Sequence, residues 1–139
     1  MSRLIDGREP RFDLDYALGR QAEEYVARIA ADLATRRVEV KASPFARTNL
    51  YVESRCLHAD GQWRRSGLAV TEAETVAWCI GDLMLAAPTE AWRAACRRGW
   101  PRYRNDCLRG DRPTVGLSIP FVKLVPWLLD ECRRDEVTV

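Results

Sequence analysis

Residues 13–35, DLDYALGRQAEEYVARIAADLAT, carry apolar side chains at helical spacing, and directly afterwards RVEVK alternates residue by residue. No other feature narrows the possible folds as far. Leu18, Ala22, Tyr25, Val26, Ile29 and Leu33 recur every three or four residues. That spacing predicts an amphipathic helix beginning near Asp15, capped by Asp13 or Asp15. Glu23 lies at the edge of the apolar stripe, where it can reach a site beside the core, while Glu24 points to solvent. In RVEVK, Val38 and Val40 face one way and Arg37, Glu39 and Lys41 the other, which is the pattern of a strand.

The rest of the chain continues the mixture. SPFART is turn-rich, and NLYVESRCL reads as a second strand with Leu50 and Val52 on one face and Tyr51 and Glu53 on the other. Asp60-Gly61 is a turn that can close a hairpin through Trp63. Thr71 followed by Glu74 matches a capping box, so a helix is expected from about Glu72 to Gly81. LMLAAP is expected as a short buried strand, and residues 89–98 as a helix capped by Thr89. GWPRYRNDCLRGDRP reads as a loop and TVGLSIP as a strand. A closing helix starts at Pro120, with Pro126 expected to kink or split it. The order predicts an α/β fold, and 139 residues suffice for one domain with one core.

Charge adds a constraint on partners. The chain has twenty Arg and two Lys, so a cation placed for charge alone would be Arg, and Lys41 stands out as a chosen lysine. Net charge is only +2, yet Arg93–Arg112 holds seven Arg against Asp106 and Asp111, with Trp100 and Tyr103 interleaved. Basic and aromatic residues together suit a polyanion with stacking bases, which points to DNA held by Arg97, Arg98, Arg102 and Arg104. Five cysteines without a C-x-x-C pair, and one histidine near Cys56, do not make a zinc site. The cysteines are expected to be reduced, and a lone His58 argues against Ser-His or Cys-His nucleophilic chemistry. With no apolar span and no apolar signal core, a cytoplasmic protein with no membrane partner is expected.

Glu39 and Lys41 stand two residues apart and so share a strand face. A carboxylate there can hold Mg²⁺ or Mn²⁺, and a lysine about 7 Å along the same face can reach a metal-held water or phosphate oxygen. A firm site needs further acids, and Glu53 and Glu23 are the available ones.

VEVK, RTNLYVE and WRRSGLAVTEAE, with FDLDYALGRQAEE before them and RGDRPTVGLSIP after, together resemble small phage- and prophage-type proteins of the PD-(D/E)XK nuclease superfamily. The similarity spans residues 12 to about 125 and lies in the order and spacing of five loose motifs. It implies a restriction-endonuclease-like core, a mixed central sheet flanked by helices, in a single domain over residues 1–139. It also implies metal-dependent cleavage of DNA, of the kind carried out by resolvase-like relatives that act as homodimers. By position, Glu39 would be a metal ligand helped by the Val40 carbonyl, Glu23 would extend the site, Lys41 would position the water, and Glu53 would be an acidic companion. No aspartate-bearing strand precedes Val38, where the superfamily has one. Glu39 in that aspartate's place with Glu53 and Arg55 as the E-x-K pair, or Asp13 or Asp15 brought in from the N-terminus, are alternative completions. The alternative function is a catalytically inactive DNA-binding or protein-interaction module on the same scaffold.

Overall fold

The computed structural model describes residues 12–35, 37–44, 46–108 and 111–137, the side chains of 12–18 and 135–137 excepted. The chain divides into two compact units, Met1–Thr35 and Arg36–Val139. In the first, α1 (Phe12–Leu33) is the expected helix. It closes in a turn where the Thr35 amide and hydroxyl both donate to the Asp32 carbonyl, at 3.1 and 3.0 Å. Of the apolar stripe, Ile29 is buried, while Tyr25, Val26 and Leu33 are exposed. The caps expected of Asp13 or Asp15 lie outside the described side chains.

The second unit contains β1 (Val38–Ala42), β2 (Asn49–Leu57), β3 (Trp63–Arg65), β4 (Thr75–Ile80), β5 (Leu83–Pro88), α2 (Thr89–Gly99), β6 (Thr114–Pro120) and α3 (Phe121–Val137). The architecture is mixed α/β, but the strands divide between two three-stranded sheets instead of forming one central sheet. The first sheet has the order β1-β4-β5, with β1 parallel to β4 and β5 antiparallel to it. The second has the order β3-β2-β6 and is antiparallel throughout.

The segment from Thr75 to Ile80 is the main departure from the sequence reading: it is a strand, not a helix. Val76, Ala77 and Trp78 are buried in succession, as in a strand covered on both faces. Thr71 accepts a hydrogen bond from the Ala73 amide, and the Glu74 amide goes to the Arg37 carbonyl, so neither residue caps a helix. Gly81, at φ +59°, makes the two-residue turn into β5, a conformation that primed hairpin turns require and glycine adopts without penalty. β5 itself begins exposed, at Leu83 and Met84, and is buried at Ala87. Thr89 begins α2 from inside it, its hydroxyl donating to the Ala73 carbonyl at 2.6 Å. Pro126 lies within α3 on its exposed side and does not split it.

One core joins both sheets to α2 and α3. Leu50, Val52, Val76, Trp78, Leu117 and Ile119 come from strands, Trp92 and Ala95 from α2, and Leu124 and Leu128 from α3. Trp92 is fully buried, and its ring nitrogen donates to the Val76 carbonyl at 3.1 Å. That bond satisfies the polar atom that burying an indole would otherwise strand. No helix among the described residues is long and apolar enough to cross a membrane.

Candidate functional site

Glu39 and Lys41 do share one face of β1, and they meet there. The Lys41 ammonium donates to a Glu39 carboxylate oxygen at 2.6 Å, with the side chains 34 % and 20 % exposed for Glu39 and Lys41 respectively. Lys41 also stands 5.9 Å from the centre of the Trp78 ring. Both residues on this face are partly covered, whereas on the other face Val38 is buried and Val40 is 53 % exposed. Burial pushes the Glu39 carboxyl up, but hydrogen bonds from Lys41 and Thr71 and the ammonium charge outweigh it, so its pKa falls below the ordinary value. Thr71 is held from the far side by Arg93 of α2, which donates to the Thr71 and Leu68 carbonyls at 2.8 Å each.

Glu53 is elsewhere. It sits on β2, in the other sheet, opposite Gly116 of β6 and beside a register shift between Glu53 and Arg55. Such a bulge re-aims side chains along a strand. Glu23 lies in the exposed part of α1, within the first unit. Among the described residues of the second unit, no three acidic, histidine or cysteine side chains gather as ligands of one ion. The E-V-K pair is thus brought together as the sequence suggests, whereas Glu53 is placed among different neighbours.

Those neighbours form a groove in two adjoining parts. One, of ≈ 570 Å³, is lined by Arg55, Trp63, Trp100, Arg104, Asp106 and Leu108 among others. The second, of ≈ 330 Å³, is lined by Glu53, Arg65, Leu68, Arg93, Arg97 and Trp100 among others. Ser54 and Trp100 border both. Trp63 and Trp100 are 43 % and 42 % exposed, although tryptophan is on average highly buried.

Each wall has a local cause. Gly67, at φ +58°, starts a short 3-10 turn (Gly67–Ala69), and a side chain there would stand 2.6 Å from the Glu53 carbonyl. Its absence lets the turn close on β2, tied by the Ser66 amide donating to the Ser54 carbonyl at 2.9 Å. The expected loop after α2 lies along β6, with Asn105 donating to Gly116 and Ser118 donating to Tyr103, both at 2.9 Å. That loop brings Trp100, Arg104 and Asp106 to the groove. Arg104 is gripped by both Asp106 oxygens, at 3.1 and 3.0 Å, and lies 5.2 Å from the Trp100 ring centre.

Of the arginines expected to meet DNA, Arg97 and Arg104 line the groove. Arg98 pairs instead with Asp130 at 3.1 Å and lies over Trp127, and Arg102 lies over Tyr103. Sequence reasoning missed Arg55, Arg65 and Trp63 as groove residues. The signal was present in the hairpin itself, since Trp63 and Arg65 alternate onto one face and Arg65 lies directly opposite Arg55. Among the described residues, neither Arg55 nor Arg65 has a carboxylate partner within an ion-pair distance.

Cys56 and His58 touch, Sγ to Nε2 at 3.4 Å, and Arg112 donates to the same sulfur at 3.2 Å. None of the five cysteines is in a disulfide, and burial pushes the Cys96 thiol up to about 12. Comparison of the chain with protein-family models, with curated proteins and with solved structures finds no match.

Proposed function

We propose that this chain binds nucleic acid, DNA being the expected form. Arg55, Arg65 and Arg97 take phosphates, and Trp63 and Trp100 take bases. The observation that carries the reading is the pair of arginines directly opposite each other across β2 and β3, without acidic partners, in a groove lined by two half-exposed indoles. Like charges placed opposite one another destabilise a sheet, and a bound anion removes that penalty. Exposed indoles in a basic groove suit bases that stack irrespective of sequence. On this proposal the fold is a variant of the restriction-endonuclease-like core. The motif order supports that, while the placement of the Glu39 and Glu53 strands in separate sheets departs from it.

Binding of a fluorescent DNA strand, followed by anisotropy, tests the reading. Affinity should be measurable at low salt and fall steeply as salt rises, because each neutralised phosphate releases a counterion. No binding at low salt rejects it.

Metal-dependent cleavage is the second reading, favoured by the Glu39–Lys41 pair on a partly covered face. The described residues of the second unit do not fit an ion held by Glu39, Glu53 and a third acid, since the two glutamates lie in separate sheets. Incubation of plasmid and branched DNA with Mg²⁺ or Mn²⁺ decides between the readings. Nicking that Glu39→Ala and Lys41→Ala abolish supports an enzyme; binding without nicking in either metal leaves the binding module.

A further inference from the structure

We propose that the ≈ 330 Å³ part of the groove receives one unpaired guanine from a single strand, read by the Glu53 carboxylate. The inference rests on the nucleic-acid reading above and names the base and strand form that the groove takes.

The pocket's size is that of a small-ligand site, so what enters is a base and not a helix. A duplex also hides the base edges that a side chain in such a pocket could reach, whereas an unpaired base offers both its face and its Watson–Crick edge. Trp100 supplies the face. Arg104 lies over its ring, fixed there by Asp106, which leaves the opposite side of the indole for stacking. Phosphates fall to Arg65 and Arg97, which have no carboxylate partner among the described residues. Arg93, on the same wall, is committed to the Leu68 and Thr71 carbonyls.

Glu53 is the one acid among the pocket's lining residues, and its carboxylate makes no hydrogen bond or ion pair with another described residue. An ionised carboxylate has two acceptor oxygens and no donor. It therefore needs a base edge with two adjacent donors. Guanine has that edge in its N1–H and N2–H. Adenine and cytosine each present one donor beside an acceptor, and thymine presents one donor between two acceptors. Only guanine satisfies both oxygens without opposing an acceptor to either. In a groove otherwise built for phosphate, an unpaired acid costs affinity for the backbone, and a base contact of this kind offsets that cost.

The test is a set of labelled thymine strands that differ in one central base, together with the matching duplex, titrated by anisotropy at low salt. The strand with central guanine should bind about tenfold tighter than those with adenine, cytosine or thymine, as one bidentate base contact provides. It should also bind more tightly than the duplex. Glu53→Gln replaces one acceptor by a donor, and every base presents one donor beside one acceptor, so the guanine preference should be lost while salt-sensitive binding is kept, a combination that loss of structure does not produce. Equal affinity for all four strands, or a duplex bound as well as the strands, overturns this proposal while salt-sensitive binding leaves the broader reading intact. Absence of binding to strand and duplex alike removes both. If Glu53→Gln does not fold, the wild-type series over the four bases decides alone.

Discussion

At the residue scale, the lysine singled out by its rarity is the one that pairs with Glu39. The depressed Glu39 carboxyl makes the pair a source of stability with a definite pH window. A carboxyl whose folded pKa lies below its unfolded value stabilises the fold above the unfolded value, and the contribution is lost as pH falls through the folded one. Here the contribution is complete at neutral pH and disappears as pH drops below the ordinary 4.5. Lys41→Met should therefore raise the Glu39 pKa, read by carbon-detected NMR titration, and flatten the acid limb of the stability curve. An unchanged Glu39 titration would show that Thr71 alone holds it. A second residue-scale expectation concerns Gly116, where an added methyl would stand 2.3 Å from the Val52 carbonyl and 2.8 Å from the Tyr51 ring. Gly116→Ala should cost about 1–3 kcal/mol in urea unfolding, since neither the strand backbone nor a ring tied to Thr114 at 2.7 Å can yield easily.

At the scale of elements, the chain was readable wherever local pattern and burial agree. α1, β1, β2, the β2–β3 hairpin, α2, β6 and α3 all stand close to where periodicity and turn residues place them. β4 was not, for a physical reason: a strand buried on both faces loses the alternation that marks a strand. Thr75, Val76, Trp78 and Ile80 still carried a signal in their β-branched and aromatic character, and the apparent capping box at Thr71 and Glu74 concealed it. The connection from β3 to β4 was equally hidden, because it depends on Arg93 reaching two carbonyls from another element. Arg93→Lys should destabilise the protein by about 2 kcal/mol, since one ammonium cannot reproduce two bonds from a rigid fork. It should also increase hydrogen exchange at residues 66–74 ahead of the core strands. Uniform exchange across both regions would show that the latch is not local.

At the scale of the whole molecule, the groove was half legible. From the Arg- and Trp-rich stretch after α2, Arg97, Trp100 and Arg104 do line the groove, but Arg55, Arg65 and Trp63 arrive through strand pairing distant in sequence, and Arg98 turns away to Asp130. A net charge of +2 hides this concentration, so affinity should follow the groove and not the total charge. The opposed arginines make that distinction measurable. In the free protein they repel, so Arg55→Ala and Arg65→Ala should each leave stability unchanged or raise it by a few tenths of a kcal/mol in thermal unfolding. In the complex each loses a phosphate, so the slope of log affinity against log salt for a single strand should shrink by about 0.7 for either variant. Arg98→Ala, which removes as much charge from a residue already paired with Asp130, should leave that slope nearly unchanged. Stability and binding thus move in opposite directions at Arg55 and Arg65 only if an anion is what their pairing awaits. Should either substitution destabilise the free protein while leaving the salt slope intact, the arginines support the sheet and the strand lies elsewhere.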